Sequence, residues 1–145
     1  MPRKPLTREQ KVRQQNKPLG ITFAELKAEI DAAEGDLRKP IKLARQSGSL
    51  RLMIRCKNVN IPVSWGMSLI LDNAMIDCVH FHRMPYSNTD GAKRVGWHRD
   101  LMDGGSNVGR MTLEDFDPKI LEDFILRVLK IFKVTLNLGG DDAHG

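Results

Sequence analysis

Leu50-Arg51-Leu52-Met53-Ile54-Arg55-Cys56-Lys57 decides how this chain folds. Its even positions are apolar, and its odd positions put Arg51, Arg55 and Lys57 on the opposite side. A period of two marks a β-strand with one face in a core and the other toward water. Asn58 to Asn60 then supplies a turn, and Pro62 restricts residues 61–65 to an edge strand or loop, because proline cannot donate to a ladder. Met67, Leu69 and Leu71 resume the alternation, and Asp72-Asn73 turns the chain again. In the next strand, residues 75–83, Met75, Val79 and Phe81 share one face, with Ile76, Cys78, His80 and His82 on the other. Beyond a turn-rich segment at 84–91, Val95, Trp97 and Leu101 form the apolar set, leaving Arg94, His98 and Asp100 on the reverse. With every apolar set turned inward, the opposite face of one antiparallel sheet carries Arg51, Arg55, Lys57, His80, His82, His98 and Asp100. That coincidence requires an unbroken register, since a one-residue bulge exchanges the two faces.

Upstream of Ser49 the period is near 3.6. Thr22-Phe23-Ala24-Glu25 reads as a capping box, followed by Phe23, Leu26, Ile30 and Ala33 at helical spacing and a stop at Gly35. A second short helix is expected from Pro40, with Ile41, Leu43 and Ala44 inward and Lys39, Lys42 and Arg45 outward, ending at Ser47-Gly48. Residues 1–18 are polar, lack a sustained apolar period, and read as a flexible basic arm. Downstream, residues 103–107 read as a flexible loop. Asp117-Pro118 is expected to open a helix, with aspartate as the cap and proline in the first turn. Leu121, Phe124, Ile125, Val128, Leu129 and Phe132 form its apolar stripe, opposite Glu122, Asp123, Arg127 and Lys130. Residues 139–145 read as a disordered tail. The sequence thus predicts a single α+β domain over 19–138. Its core is a mainly antiparallel sheet of four to five strands, with N-terminal helices and a long C-terminal helix packed on one face.

At 145 residues the chain can bury a core of its own, and 41% hydrophobic with 28% charged residues is ordinary for a globular protein. No apolar run approaches the ~18 residues of a membrane span, and no signal peptide is evident, so a cytoplasmic protein is expected. Cys56 and Cys78 are too few for a disulfide framework and are expected to be free thiols. The net charge of +5 is uneven: residues 1–57 hold 14 Lys/Arg against 6 Asp/Glu, and residues 58–145 hold 9 against 12. A basic half points to a polyanion, most simply RNA, as partner.

Three of the four histidines lie within His80-Phe81-His82 and Trp97-His98-Arg99-Asp100. Histidine exchanges its proton near neutral pH, so His80, His82 and His98 can supply a base and an acid for RNA cleavage, with Asp100 orienting His98. Arg51, Arg55, Lys57, Arg94 and Arg99 are then the phosphate holders, and Tyr86 the aromatic best placed to stack on a base. Trp97 belongs to the core by parity. This chemistry needs no cofactor. Alternatively, His80, His82 and His98 could bind zinc, with Cys78 and Asp100 as further ligands. His98-Arg99-Asp100 also matches the HxD of two-histidine, one-carboxylate iron sites, but the only later histidine is His144. Residues 22–48 could instead form a helix-turn-helix, which Lys39-Pro40 would interrupt.

The run from Met75 through His80-Phe81-His82 and Asn88-Thr89-Asp90-Gly91 to Gly96-Trp97-His98-Arg99-Asp100, then a helix, resembles small bacterial and prophage proteins grouped with TumE-type toxins of toxin–antitoxin pairs. The likeness covers residues 67–132. It departs from the pattern in having Asp100 where a second histidine is expected, and in carrying HxH on the earlier strand. The resemblance implies a small prokaryotic or phage protein that acts near RNA or a regulatory partner such as a cognate antitoxin. The leading expectation is a metal-independent, toxin-type endoribonuclease. The alternative is a non-catalytic interaction or inhibitor module whose basic face docks nucleic acid or an acidic protein surface.

Overall fold

The computed structural model describes residues 5–43, 49–87 and 93–137, with the backbone alone for 82–87 and 93–95. Helix α1 (Arg8–Gln14), strand β1 (Lys17–Pro18) and helix α2 (Phe23–Ala32) come first. Six strands follow: β2 (Leu37–Lys42), β3 (Leu50–Cys56), β4 (Trp65–Leu71), β5 (Ala74–Ser87), β6 (Lys93–Asp103) and β7 (Ser106–Thr112). Helix α3 (Leu121–Ile131) and strand β8 (Val134–Thr135) close the described chain. Strands β2 to β7 form one antiparallel sheet in chain order, and β1 pairs with β8 in parallel. The class is α+β as the sequence indicates, with six strands in the main sheet instead of four or five.

The alternation in β3 and β4 is reproduced residue by residue. Leu50, Leu52, Ile54 and Cys56 are buried, as are Trp65, Met67, Leu69 and Leu71. Asp72 and Asn73 take φ of 48° and 69°, the left-handed pair of a two-residue hairpin turn. Residues 62–64 form a 3-10 turn ahead of β4. The stripe of α3 is buried as expected and meets the sheet through aromatic rings, with Phe124 centred 5.2 Å from Trp97 and 5.6 Å from Trp65. Trp97 is in the core, as its parity indicates. The Thr22–Glu25 capping box is present, and both cysteines are free and buried. Among the described residues no helix is long and apolar enough to cross a membrane.

Several expectations are corrected. The helix from Pro40 is instead strand β2. Leu37 and Ile41 face the core, and Pro40 is tolerated because β2 is a sheet edge. With residues 37–42 in a strand, the second helix of the helix-turn-helix alternative is absent from the described residues. Residues 106–112, partly read as loop, are strand β7. The basic arm is folded from Arg8 onward: Thr7 caps α1, Val12 joins the core, and Lys17 is fully buried. The Lys17 ammonium donates to the carbonyls of Arg13 at 3.1 Å, Gln15 at 2.7 Å and Phe132 at 2.6 Å. Lastly, α3 starts at Leu121, after Ile120 and without a side-chain cap, rather than at Asp117-Pro118. Residues 1–4 of the arm, 44–48 of the supposed helix, 88–92 of the turn and the tail 138–145 lie outside the described residues.

The register of β5 breaks where it pairs with β4, so that Leu69 faces Asp77 while Ile70 faces Met75. Ile76 is the extra residue of a bulge. Met75, expected inward, is 42% exposed, and Ile76 takes its place in the core at 2%. From Asp77 to Phe81 the expected parity holds, and this stretch carries His80.

Candidate functional site

Strand pairing sets Arg38, Arg55, Gly66, His80, His98 and Thr112 in a single row across the sheet. The adjacent row holds Pro40, Met53, Ser68, Cys78, Asp100 and Arg110. Both rows lie on the face turned away from α3. Strands stand about 4.8 Å apart, so Arg55 and His80 are separated by the one strand that contributes Gly66. Glycine leaves that interval without a side chain. The result is a groove of about 860 Å³ lined by Arg38, Arg55, Lys57, Ser64 and Gly66, with His80 at its far wall.

His80 and His98 are directly opposite each other on β5 and β6, with ring centroids 4.0 Å apart and edge to face. Asp100 lies two residues beyond His98 on the same face. Its Oδ2 is 3.3 Å from the Nε2 of His80 and 3.3 Å from the Nε2 of His98. Its Oδ1 accepts a hydrogen bond from Arg110 Nε at 2.8 Å. Burial alone would push the Asp100 carboxyl up. The hydrogen bonds of His80, His98 and Arg110 outweigh that and hold it well below the usual carboxylate range. Asp100 is therefore an ionised hub between two imidazoles.

The two histidines differ in access. The His80 side chain is 35% exposed, whereas His98 is 0% exposed. The ring that can meet a substrate is His80, and His98 sits behind it, so the general base or acid role expected of His98 is not open to it in this conformation. The side chains of His82, Tyr86 and Arg94 lie outside the described residues. Their backbones pair His82 with Gly96 and Tyr86 with Arg94 along the same hairpin.

Among the expected phosphate holders, Arg55 and Lys57 line the groove. Arg51 shares the face but lies toward the other end of β3, opposite Ile70, and its guanidinium donates to Asn73 at 3.3 Å. Arg99 does not join them. It pairs with Val79, whose side chain is in the core, so it points to the other side of the sheet. There its Nε and a terminal nitrogen reach the two oxygens of buried Asp77 at 2.9 and 2.6 Å. Cys78 neighbours Asp100 in its row, but burial, partly offset by the Ser68 hydrogen bond, pushes its thiol up to about 11. It remains protonated and is a poor nucleophile.

Arg38, Gly66 and Arg110 are site residues that the sequence reading missed. Arg38 was hidden by assigning residues 40–48 to a helix, although Leu37, Ile41 and Leu43 alternate with charged residues as a strand would. Arg110 lies in a strand with little apolar content, and only its pairing with β6 reveals it. The HxD motif also acquires a second histidine, from the earlier strand instead of a later one. No family model, curated protein or solved structure matches this chain.

Proposed function

We propose that the protein binds RNA along the groove and cleaves it at His80. The carrying observation is the cross-strand row that sets Arg38 and Arg55 in line with an accessible, carboxylate-oriented imidazole across the gap left by Gly66. The two guanidiniums and Lys57 suit a run of phosphates, because charge-assisted contacts to a phosphodiester position the strand without reading its bases. When His80 donates Nε2–H to Asp100, its lone pair is on Nδ1, the tautomer a general base needs. His80 then takes the proton of a 2′-hydroxyl as the 2′-oxygen bonds to phosphorus. The bond from phosphorus to the 5′-oxygen breaks, and that oxygen takes a proton from solvent. Arg55 and Arg38 stabilise the charge on the pentavalent phosphate. His98 and Arg110 act through Asp100, as positioning residues.

The exposed cations of β2 and β3 also suit a docking face that holds a polyanion without cutting it, and the burial of His98 favours that second possibility. Incubation of end-labelled mixed-sequence RNA with purified protein in EDTA separates the two. Fragments ending in 2′,3′-cyclic phosphate, absent with His80→Ala and reduced with Arg55→Ala, are the expected result. Binding that depends on Arg38 and Arg55 without cleavage would leave the docking module. RNA affinity indifferent to both arginines would overturn both.

A further inference from the structure

We propose that His80, His98 and Asp100 are the ligands of one divalent transition-metal ion, of which zinc is the simplest case. Each offers one donor atom, and the three donors lie within 4.8 Å of one another. The separations from Asp100 Oδ2 to the two imidazole nitrogens, both 3.3 Å, are the informative ones. A tetrahedral ion with bonds of ~2.0–2.1 Å holds its ligand atoms ~3.3–3.4 Å apart. Those two edges of the coordination polyhedron are therefore already at length. The ligands come from facing positions on paired strands, where the ladder fixes their spacing, rather than from a loop.

The donor types narrow the ion. Two imidazoles with one carboxylate suit zinc, iron, nickel or copper, whereas calcium and magnesium prefer shells of oxygen. Arg110 completes the arrangement by binding Oδ1 of Asp100, which fixes the carboxylate and turns Oδ2 toward both histidines. The guanidinium also lowers the local negative charge, which moderates affinity for the ion. Three protein ligands leave a fourth position, and the groove borders the set at His80. That position is open to water or to a phosphate oxygen. This donor set differs from the one expected from sequence: Asp100 takes the place assigned to His82.

The metal site stands apart from the RNA proposal, but one consequence rests on it. An ion at this site binds His80 through Nε2 and so leaves the ring proton on Nδ1, the atom that would take the substrate proton, so metal-bound and proton-transferring states exclude each other. Zinc should then suppress any cleavage seen in EDTA.

Calorimetric titration of the full chain with zinc chloride tests the site directly, with cobalt(II) absorption reporting the geometry. One ion per chain is expected, with visible bands of tetrahedral cobalt. His80→Gln and Asp100→Asn should each weaken binding by at least ~10-fold, with unchanged far-ultraviolet circular dichroism. His80 is partly exposed, so His80→Gln decides the matter even where Asp100→Asn fails to fold. No stoichiometric binding, or equal affinity in wild type and His80→Gln, would overturn the site. These titrations contain no RNA and are decided separately from cleavage. Zinc that accelerates cutting would overturn the mutual exclusion alone.

Discussion

Replacing Arg99 with methionine removes both guanidinium hydrogen bonds from the Asp77 carboxylate while keeping most of the side-chain volume. Asp77 is 0% exposed, and the bonds it loses are 2.9 and 2.6 Å long. If the carboxylate stays ionised, breaking a buried pair from one side costs ~3–5 kcal/mol. If it takes up a proton instead, the cost at pH 7 is ~1.4 kcal/mol for each unit above an ordinary value near 3.9, or ~4 kcal/mol. The two routes agree in size. Burial already raises the wild-type carboxyl, although Arg99 pulls it back, so the measured deficit falls below these figures. The pH dependence separates this mechanism from a simple packing loss. In Arg99→Met the folded-state pKa of Asp77 lies further above its unfolded value. Stability is then greatest in acid and is lost as pH rises through that interval. The deficit relative to wild type should therefore lie between ~1 and ~4 kcal/mol at pH 7 and be smaller at pH 5. Urea unfolding at the two pH values measures it. Asp77→Leu combined with Arg99→Met should recover part of the loss, since the apolar pair leaves no unpaired carboxylate, although Lys17 then loses the support of Asp77. A single-variant deficit below ~1 kcal/mol at pH 7, or one that grows on acidification, would refute this account of Arg99. So would a folded double variant that no longer binds RNA, because Arg99 would then be a phosphate holder after all.

At Gly66 stability and function should move in opposite directions. A Cβ there meets the His80 Cβ at an ordinary 3.5 Å, so Gly66→Ala should gain ~0.5–1 kcal/mol in thermal unfolding. Gly66→Leu should fill the groove and weaken RNA binding in a filter assay. Lys17 is the second buried charge on trial. Desolvation by burial, only partly opposed by Asp77, brings its ammonium down to about 8. Its folded-state pKa lies below the unfolded one, so wild-type stability should rise between about pH 8 and 10, by up to ~3 kcal/mol, and Lys17→Met should lack that rise in urea titrations. Asn73, at φ 69°, should gain stability when changed to glycine and lose ~1–2 kcal/mol when changed to valine, as read by melting temperature.

What the sequence could reveal follows from which residues carry a local pattern. Leu50 to Cys56, Met67 to Leu71 and the stripe of α3 each repeat their period over at least two turns or three pleats, and each was legible, whereas Pro62 hid Trp65 as the start of an inner strand. The helix α1 carries one apolar core residue, Val12, but its Thr7-x-x-Gln10 box was present to be read. The burial of Arg13 and Lys17 was not readable. Their partners include Ile76, Met102 and Phe132, whose carbonyls are brought to them only by the fold. The edge strands β2 and β7 were lost for a related reason. An edge is paired on one side, tolerates proline and polar residues, and so leaves a weaker trace in the sequence.

Parity gathered His80, His98, Asp100 and Arg55 on one face correctly even though β5 contains the bulge that could have scattered them. The reason lies in where the irregularities fall. Pairing slips between Leu69 and Ile70 on β4, between His82 and Tyr86 on β5, and between Leu101 and Met102 on β6. Between those slips, residues 77–82 and 96–101 face one another without interruption, and β4 and β7 flank them in step. Gly96, with φ of 120°, stands at the hairpin end of that block, where an ordinary side chain would resist the backbone. A slip at Ile76 costs the site nothing, because it reverses only Met75 and Ala74. A slip between Cys78 and His80 in the pairing of β5 with β6 would instead have separated His80 from Asp100. The histidine–carboxylate cluster depends on where the register slips as much as on the identity of its residues.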